Sequence, residues 1–243
     1  MTSLPTERQA RTSPPTFADA AHELAKMWAI FPIGQANPIS IRAISPKGAS
    51  TFLLPENVTF NAAEFPELDD RKQAFADAAL RLNEFGYNVY IVLNQIKTSF
   101  AGDTRNRIAV SDQDIASRQR LLIDLDRTGT LLAPASDAEI SEAADVADEI
   151  SSHLGSLYGL ESFKVMSGNG IHLYLPLDDI PNDPASNSCC QAMLKALARR
   201  FNTDNIKVDQ TVYNASRITK VPGTIARKGC ETAERPFRMA CVL

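Results

Sequence analysis

Three aspartates are the residues of this chain best suited to chemistry. Asp124 and Asp126 close the run Leu122-Ile123-Asp124-Leu125-Asp126, and Asp209 lies in Val208-Asp209-Gln210. Two residues apart on an extended segment, Asp124 and Asp126 point to the same side. Carboxylates that close repel and raise each other's proton affinity unless a cation sits between them. Hard divalent ions such as Mg²⁺ take oxygen ligands of this kind. Two such ions can activate an attacking hydroxyl and stabilise a departing pyrophosphate. A solvated D-x-D at a strand end has the same letters; Asp209 on a neighbouring strand is what turns the pattern into a candidate metal site. Asp124, Asp126 and Asp209 are therefore the candidate catalytic and metal-ligating set.

A second group could hold the anionic cargo of such a metal. Ser167-Gly168-Asn169-Gly170-Ile171-His172 is a tight turn of the hairpin kind. Glycines let backbone amides come close to a phosphate, while the Ser167 hydroxyl and the His172 imidazole can donate to its oxygens. An ordinary hairpin with His172 packed at a strand start would explain the same residues, and only the neighbouring carboxylates favour the phosphate. Arg217, Lys220, Arg227 and Lys228 follow Asp209 within twenty residues and could neutralise a triphosphate or contact a template backbone. A solvated basic surface is the alternative for each of them.

Periodicity supplies the elements that must position these residues. Residues 17–28 carry Phe17, Ala21, Leu24 and Trp28 at helical spacing. Residues 38–44 and 51–54 read as strands joined by the turn Pro46-Lys47-Gly48, 68–85 as a helix stopped by Gly86, and 88–93 as a strand. Residues 95–117 read as a loop. A regular series then follows: strand 119–125, helix 137–158 behind the capping box of Ser136 and Glu139, strand 163–166, return strand 171–177, helix 184–201 with Pro184 in its first turn, and strand 206–212 containing Asp209. The order is β-α-β-β-α-β, the ferredoxin-like module with sheet order 4-1-3-2. In that arrangement the end of the first strand, the end of the second, and the starts of the third and fourth share one edge. Those places hold Asp124 and Asp126, Ser167, His172 and Asp209.

Composition sets the outer limits. The chain has 243 residues and 44% hydrophobic content, enough for one large domain or two small lobes. Its four cysteines form no C-x-x-C pair, and with only three histidines beside them a structural zinc site is disfavoured. The net charge of −4 argues against a generic nucleic-acid coat protein. Between Lys195 and Arg238, however, ten Lys and Arg stand against four Asp and Glu, so one face could hold phosphates while the rest stays acidic. No apolar run reaches membrane-span length and residues 1–15 lack an apolar signal core, so the expectation is a soluble, cytoplasmic protein with no membrane partner.

The three motifs together resemble those of the archaeo-eukaryotic primase superfamily. Tyr213-Asn214-Ala215-Ser216-Arg217-Ile218, Gly223-Thr224-Ile225-Ala226-Arg227-Lys228-Gly229 and Glu234-Arg235-Pro236-Phe237-Arg238 narrow the resemblance to the primase-polymerase branch found on plasmids, phages and other mobile elements. It runs from about Asp112 to Arg238. The resemblance implies an α+β fold, in which an RRM-like (ferredoxin-like βαββαβ) catalytic module over residues 118–243 packs with an N-terminal α/β lobe over 16–117, behind a flexible stretch at 1–15. It implies primer synthesis and extension on a single-stranded DNA template from NTPs or dNTPs, with two Mg²⁺ or Mn²⁺ ions on Asp124, Asp126 and Asp209. Ser167, Gly168, Asn169, Gly170, His172, Arg217 and Lys220 match nucleotide-binding positions. A helicase or accessory helical domain, in the same or another chain, is the implied partner. Many members carry a zinc-binding element that is missing from this sequence. A polymerase that only extends primers, a DNA-binding replication initiator with a decayed site, and a metal-dependent phosphodiesterase are the rival readings. The intact carboxylates argue against the initiator.

Overall fold

The alternation that frames Asp124 and His172 becomes a pair of long antiparallel strands around which the other elements assemble. A computed structural model describes residues 16–45, 56–129 and 132–243. The first half forms α1 (Phe17–Ile30), β1 (Ile39–Ile44), β2 (Asn57–Phe60), α2 (Leu68–Glu84), β3 (Asn88–Val92) and β4 (Gln95–Ile96). The second half forms β5 (Ile115–Arg127), α3 (Asp137–Tyr158), β6 (Phe163–Met166), β7 (Ile171–Pro181), α4 (Pro184–Phe201) and β8 (Ile206–Val208). Four short strands follow: β9 (Ile218–Lys220), β10 (Ile225–Ala226), β11 (Arg238–Met239) and β12 (Cys241–Val242).

Local chemistry explains the helix ends. Ser136 and Glu139 make the predicted reciprocal cap on α3, whose far end closes on Gly159 in the left-handed region. Asp183 accepts the Ser186 amide in front of Pro184, the first residue of α4. Thr16 and Asp19 form a second capping box, on α1.

β5-α3-β6-β7-α4-β8 is the βαββαβ module. Its strands lie in the order β8-β5-β7-β6, every neighbouring pair antiparallel, which is the expected 4-1-3-2 arrangement. The fold is α+β. Alternation sorts the faces of β5 and β7. Leu121, Ile123, Leu125, Leu173 and Leu175 are buried on the face that α3 and α4 cover. Leu122, Asp124 and Asp126 on β5, with His172 and Tyr174 on β7, share the other face.

A second sheet, β2-β1-β3-β9, stands opposite that face and carries α2 on β1 and β3. The two sheets exchange strands. β9, from beyond the module, completes the N-terminal sheet beside β3; β4, from the first half, pairs with the start of β5, and β12 extends the module sheet beside β6. One continuous apolar core runs through both halves, from Leu24 and Phe75 to Leu194 and Val221.

Several sequence expectations change. The span predicted as a loop, 95–117, contains β4, a short 3₁₀ turn at Asp112–Asp114 and the first residues of β5. Ile96 and Ile115 are buried there with Val92 and Ala215 in a small satellite core, through runs too short to show a period. The last module strand ends at Val208, so Asp209 lies just beyond it instead of inside a strand reaching 212. The predicted turn at Pro46-Lys47-Gly48 and strand at 51–54 fall outside the described residues, and β2 lies at Asn57–Phe60, which the sequence reading leaves unassigned. No helix among the described residues is long and apolar enough to cross a membrane.

Gly170 tests the packing between β5 and the β6–β7 turn. A methyl group there would collide with the Leu125 carbonyl oxygen and press on the Asp126 carboxylate. Gly170→Ala is expected to destabilise the protein by about 2–3 kcal/mol, read as a lower urea midpoint with an unchanged m-value.

Candidate functional site

Strand register draws the site together. On β5, Asp124 lies directly opposite His172 of β7. On the other flank of β5, the Asp209 amide donates to the Asp124 carbonyl at 2.9 Å. The backbone thus brings three residues from distant parts of the chain into one row. Asp126 follows Asp124 on the same face, one pleat nearer the strand end.

Without Asp209, this row floors a cleft of about 390 Å³ between the two sheets. Asp124, Asp126 and His172 supply an acidic side. Arg217, Lys220, Arg227 and Lys228, from β9 and the segments around it, supply a basic side, and Tyr90 and Asn88 of β3 reach in beneath them. His172 is held from behind. Its Nδ1 lies 3.1 Å from both the Tyr174 hydroxyl and the Thr219 hydroxyl, and those two oxygens are 2.6 Å apart. The other ring nitrogen, Nε2, is 3.3 Å from Asp124 Oδ1. That oxygen is buried and, among the described residues, has no hydrogen-bond partner of good geometry. The same is true of Arg227 Nη1 on the basic side. Both residues line the cleft, and Arg227 also lines a smaller pocket beside α1 and α2.

The charges respond to one another. Burial pushes the Asp124 carboxyl upward, but His172, Lys228 and Arg217 outweigh it and hold the group below the usual range. Burial and the Asp124 charge raise Asp126, with Lys228 Nζ only 3.6 Å from its Oδ2. The pair is split, one carboxylate firmly ionised and its neighbour readier to take a proton. Burial pulls Lys220 down to about 7, helped by Arg227. Its ammonium donates to the Ile225 carbonyl at 3.1 Å and lies 5.7 Å from the centre of the Tyr90 ring.

The segment bearing Arg227 and Lys228 is anchored at both ends. The Arg227 backbone exchanges two hydrogen bonds with the Asn88 side chain. Farther on, Arg235 grips Glu139 at the start of α3 through two bonds of 2.7 and 3.0 Å, and Arg238 reaches Asp137 and the Ala135 carbonyl at 2.6 Å each. The Arg235 guanidinium draws the Glu139 carboxyl down to about 2. The Glu234–Arg238 motif is thus a clamp that ties the basic side of the cleft to the module.

Not every candidate residue turns into the cleft. Asp124, Asp126, Ser167, Asn169, His172, Arg217 and Lys220 line it; Gly168, Gly170 and Asp209 do not. The Asp209 carboxylate accepts the Thr211 amide and hydroxyl, both at 2.8 Å. The hairpin does not form an open amide cradle. Its Asn169 and Gly170 amides donate to Ser167 Oγ, and the Gly168 amide faces the Met166 sulfur. Asn169 Oδ1 accepts the Ala135 amide. Gly168, at φ 92°, is needed for close approach, because a side chain there would strike Ala226 and the Arg238 carbonyl.

Among the described residues, no three Asp, Glu, His or Cys side chains are gathered as a metal-ligand set. Asp124 and Asp126 nonetheless suit a hard cation, since both carboxylates line the cleft from the same face of β5. Tyr90, Asn88 and Thr219 are site residues that the sequence reading passes over. They reach the cleft from the second sheet, and the only signal is that Asn88 and Tyr90 alternate with buried Val89 and Ile91 on β3.

No family model matches the chain, and no curated protein matches its sequence. Among solved structures it is similar to the polymerase domain of ligase D from Mycobacterium tuberculosis in complex with DNA, at 16% sequence identity and a TM-score of 0.49, over 91% of this chain and 80% of that one. The chemistry of the cleft is therefore read from its own residues.

Lys220 gives that chemistry a measurable signature. In the folded protein it loses its proton near pH 7, while the unfolded chain keeps it into the ordinary lysine range. Between those values the unfolded state binds the extra proton, so stability rises with pH across that window. Lys220→Met is expected to stabilise the protein by about 1–3 kcal/mol at neutral pH. Urea unfolding at increasing pH should show this advantage shrinking as wild-type stability rises.

Proposed function

We propose that the cleft binds a nucleoside triphosphate with divalent metal and transfers its nucleotide to a hydroxyl on nucleic acid, as the catalytic domain of a DNA primase-polymerase. The observation that carries this reading is the placement of Asp124 and Asp126 opposite Arg217, Lys220, Arg227 and Lys228 in one cleft. A cation suits the first side and an anion the second. A metal-bound triphosphate is a ligand that brings both.

In this reading Asp124 and Asp126, with Asp209 as third ligand, would hold divalent Mg²⁺ or Mn²⁺, which would supply Lewis-acid activation of the attacking hydroxyl and charge neutralisation at the α-phosphate. Arg217, Lys220, Arg227 and Lys228 bind the phosphates. Lys220, with no carboxylate partner among the described residues, takes up a proton as the polyanion enters. His172, braced by Tyr174 and Thr219, directs Nε2 toward the metal-side oxygens. Ser167 acts through the turn that it staples, and Asn169 by fixing the approach to α3. The hydroxyl oxygen bonds to the α-phosphorus, the bond from that phosphorus to its bridging oxygen breaks, and pyrophosphate leaves. The hydroxyl proton passes to solvent, so no protein base is required. The template is single-stranded DNA, the substrates are NTPs or dNTPs, and the two-lobe division at 16–117 and 118–243 remains part of the proposal. A helicase or accessory helical domain is the proposed partner.

The test is synthesis on single-stranded DNA with labelled NTPs or dNTPs, in Mg²⁺ and in Mn²⁺, with and without a primer. Asp124→Ala with Asp126→Ala should lower product formation by roughly 10³-fold and weaken Mn²⁺ binding read by electron paramagnetic resonance. Product that requires an added primer would leave extension and remove priming. Shortened DNA would replace polymerase with phosphodiesterase. DNA binding without synthesis would leave the replication initiator. Undiminished synthesis by the double variant would sink the metal-site reading.

A further inference from the structure

Arg217 reaches the cleft from a segment fixed by a carboxylate that does not line the cleft. Asp112 lies in the 3₁₀ turn before β5. Its Oδ1 accepts the Ser216 amide and hydroxyl, both at 2.7 Å, and Asn214 Nδ2 at 3.5 Å. The other end of the Asn214 amide, Oδ1, accepts Arg217 Nε at 2.9 Å. Arg217 Nη2 donates to the Thr211 carbonyl at 3.0 Å. Its backbone is pinned too: its amide donates to the Asn214 carbonyl, and its own carbonyl accepts the Leu93 amide.

We propose that Asp112 is a positioning residue for Arg217, acting through the polarity of the Asn214 amide. An ionised carboxylate can only accept, so Asp112 draws the NH₂ end of Asn214 toward itself. The carbonyl end must then face the guanidinium. Ser216 Oγ, 3.3 Å from the same NH₂, is itself oriented by donating to Asp112, so without Asp112 the NH₂ end loses its fixed acceptors and the amide is held by Arg217 alone. With Asp112 in place, Nε and Nη2 are occupied by protein acceptors and Nη1 is left for an anion in the cleft. The bonds from Ser216 and Asn214 keep the Asp112 carboxyl below the usual range although partial burial opposes this, so it stays a pure acceptor at neutral pH. The role explains why Asn214 and Ser216 accompany Arg217 in the motif. Its consequence for nucleotide affinity rests on the proposed function, whereas the ordering of Arg217 does not.

The test uses the full chain and reads Arg217 directly. Hydrogen exchange at Arg217 Nε, followed by nuclear magnetic resonance, should quicken about tenfold in Asp112→Ala and in Asn214→Ala and stay near wild type in Asp112→Asn, which keeps an acceptor oxygen. Affinity for Mg²⁺·dATP, measured by calorimetry, should fall about tenfold in Asp112→Ala and in Arg217→Ala and fall no further when the two are combined. Unchanged exchange in Asp112→Ala overturns the proposal, and so does an additive double variant. If Asp112→Ala does not fold, Asn214→Ala decides the matter: retained protection of Nε overturns the proposal and lost protection supports it. Lost protection combined with full nucleotide affinity in Arg217→Ala upholds the positioning role and defeats the nucleotide reading of the cleft.

Discussion

The cost of burying a carboxylate governs this structure. Asp124 sits in a strand whose neighbouring residues, Ile123 and Leu125, are fully enclosed, and one of its own oxygens lacks a hydrogen-bond donor. An isolated charge in such a place would be expelled or neutralised. Here it is balanced electrostatically, by an imidazole across the strand pair and by cations across the cleft. That balance leaves its direct coordination incomplete. The opposite side has the complementary problem in Lys220 and Arg227, whose burial lowers their hold on protons. Lys228 and Arg217 balance the acidic side, whereas Lys220 has no carboxylate beside it among the described residues.

Holding two such sides at working distance requires rigid support. The acidic side belongs to the long β5–β7 pair, backed by α3 and α4. The basic side belongs to β9 and the segments that flank it, and each flank is tied down separately. Asn88 fixes the Arg227 backbone, Asn214 and Thr211 hold the Arg217 guanidinium, and Arg235 with Arg238 fastens the returning chain to the start of α3. The α3 terminus is well suited to this, because its first-turn carboxylates Asp137 and Glu139 both cap the helix end electrostatically and receive the two arginines.

The sequence announces the module more clearly than the site. α4, β6 and α3 have the bounds read from the sequence, with Pro184 opening α4 and the Ser136–Glu139 capping box opening α3, because these signals are local. β4 and the strands after β8 are two or three residues long and show no period, so they exist only through pairing partners far along the chain. The convergence of Asp124, His172 and Asp209 on one row is legible because strand order converts it into register. The direction of individual polar atoms is not. Nothing in the letters Ser-Gly-Asn-Gly says that the turn amides close on Ser167 instead of opening to a ligand, or that the Asp209 carboxylate rests on Thr211. Tyr90 and Thr219 escape notice because they enter by packing between sheets.

The exchange of β4 and β9 between the sheets has a consequence for how the protein can be made. β9 pairs with β3 across the entire βαββαβ module, so the N-terminal sheet lacks this strand until the whole module has left the ribosome. Pairings of such high contact order are slow to form, because loop closure costs entropy before it yields contacts. The basic side of the cleft is built on that late strand. The basic side of the cleft therefore assembles late, when β9 closes onto β3. Cutting between the halves would divide both sheets, so the two lobes are poor candidates for separate expression.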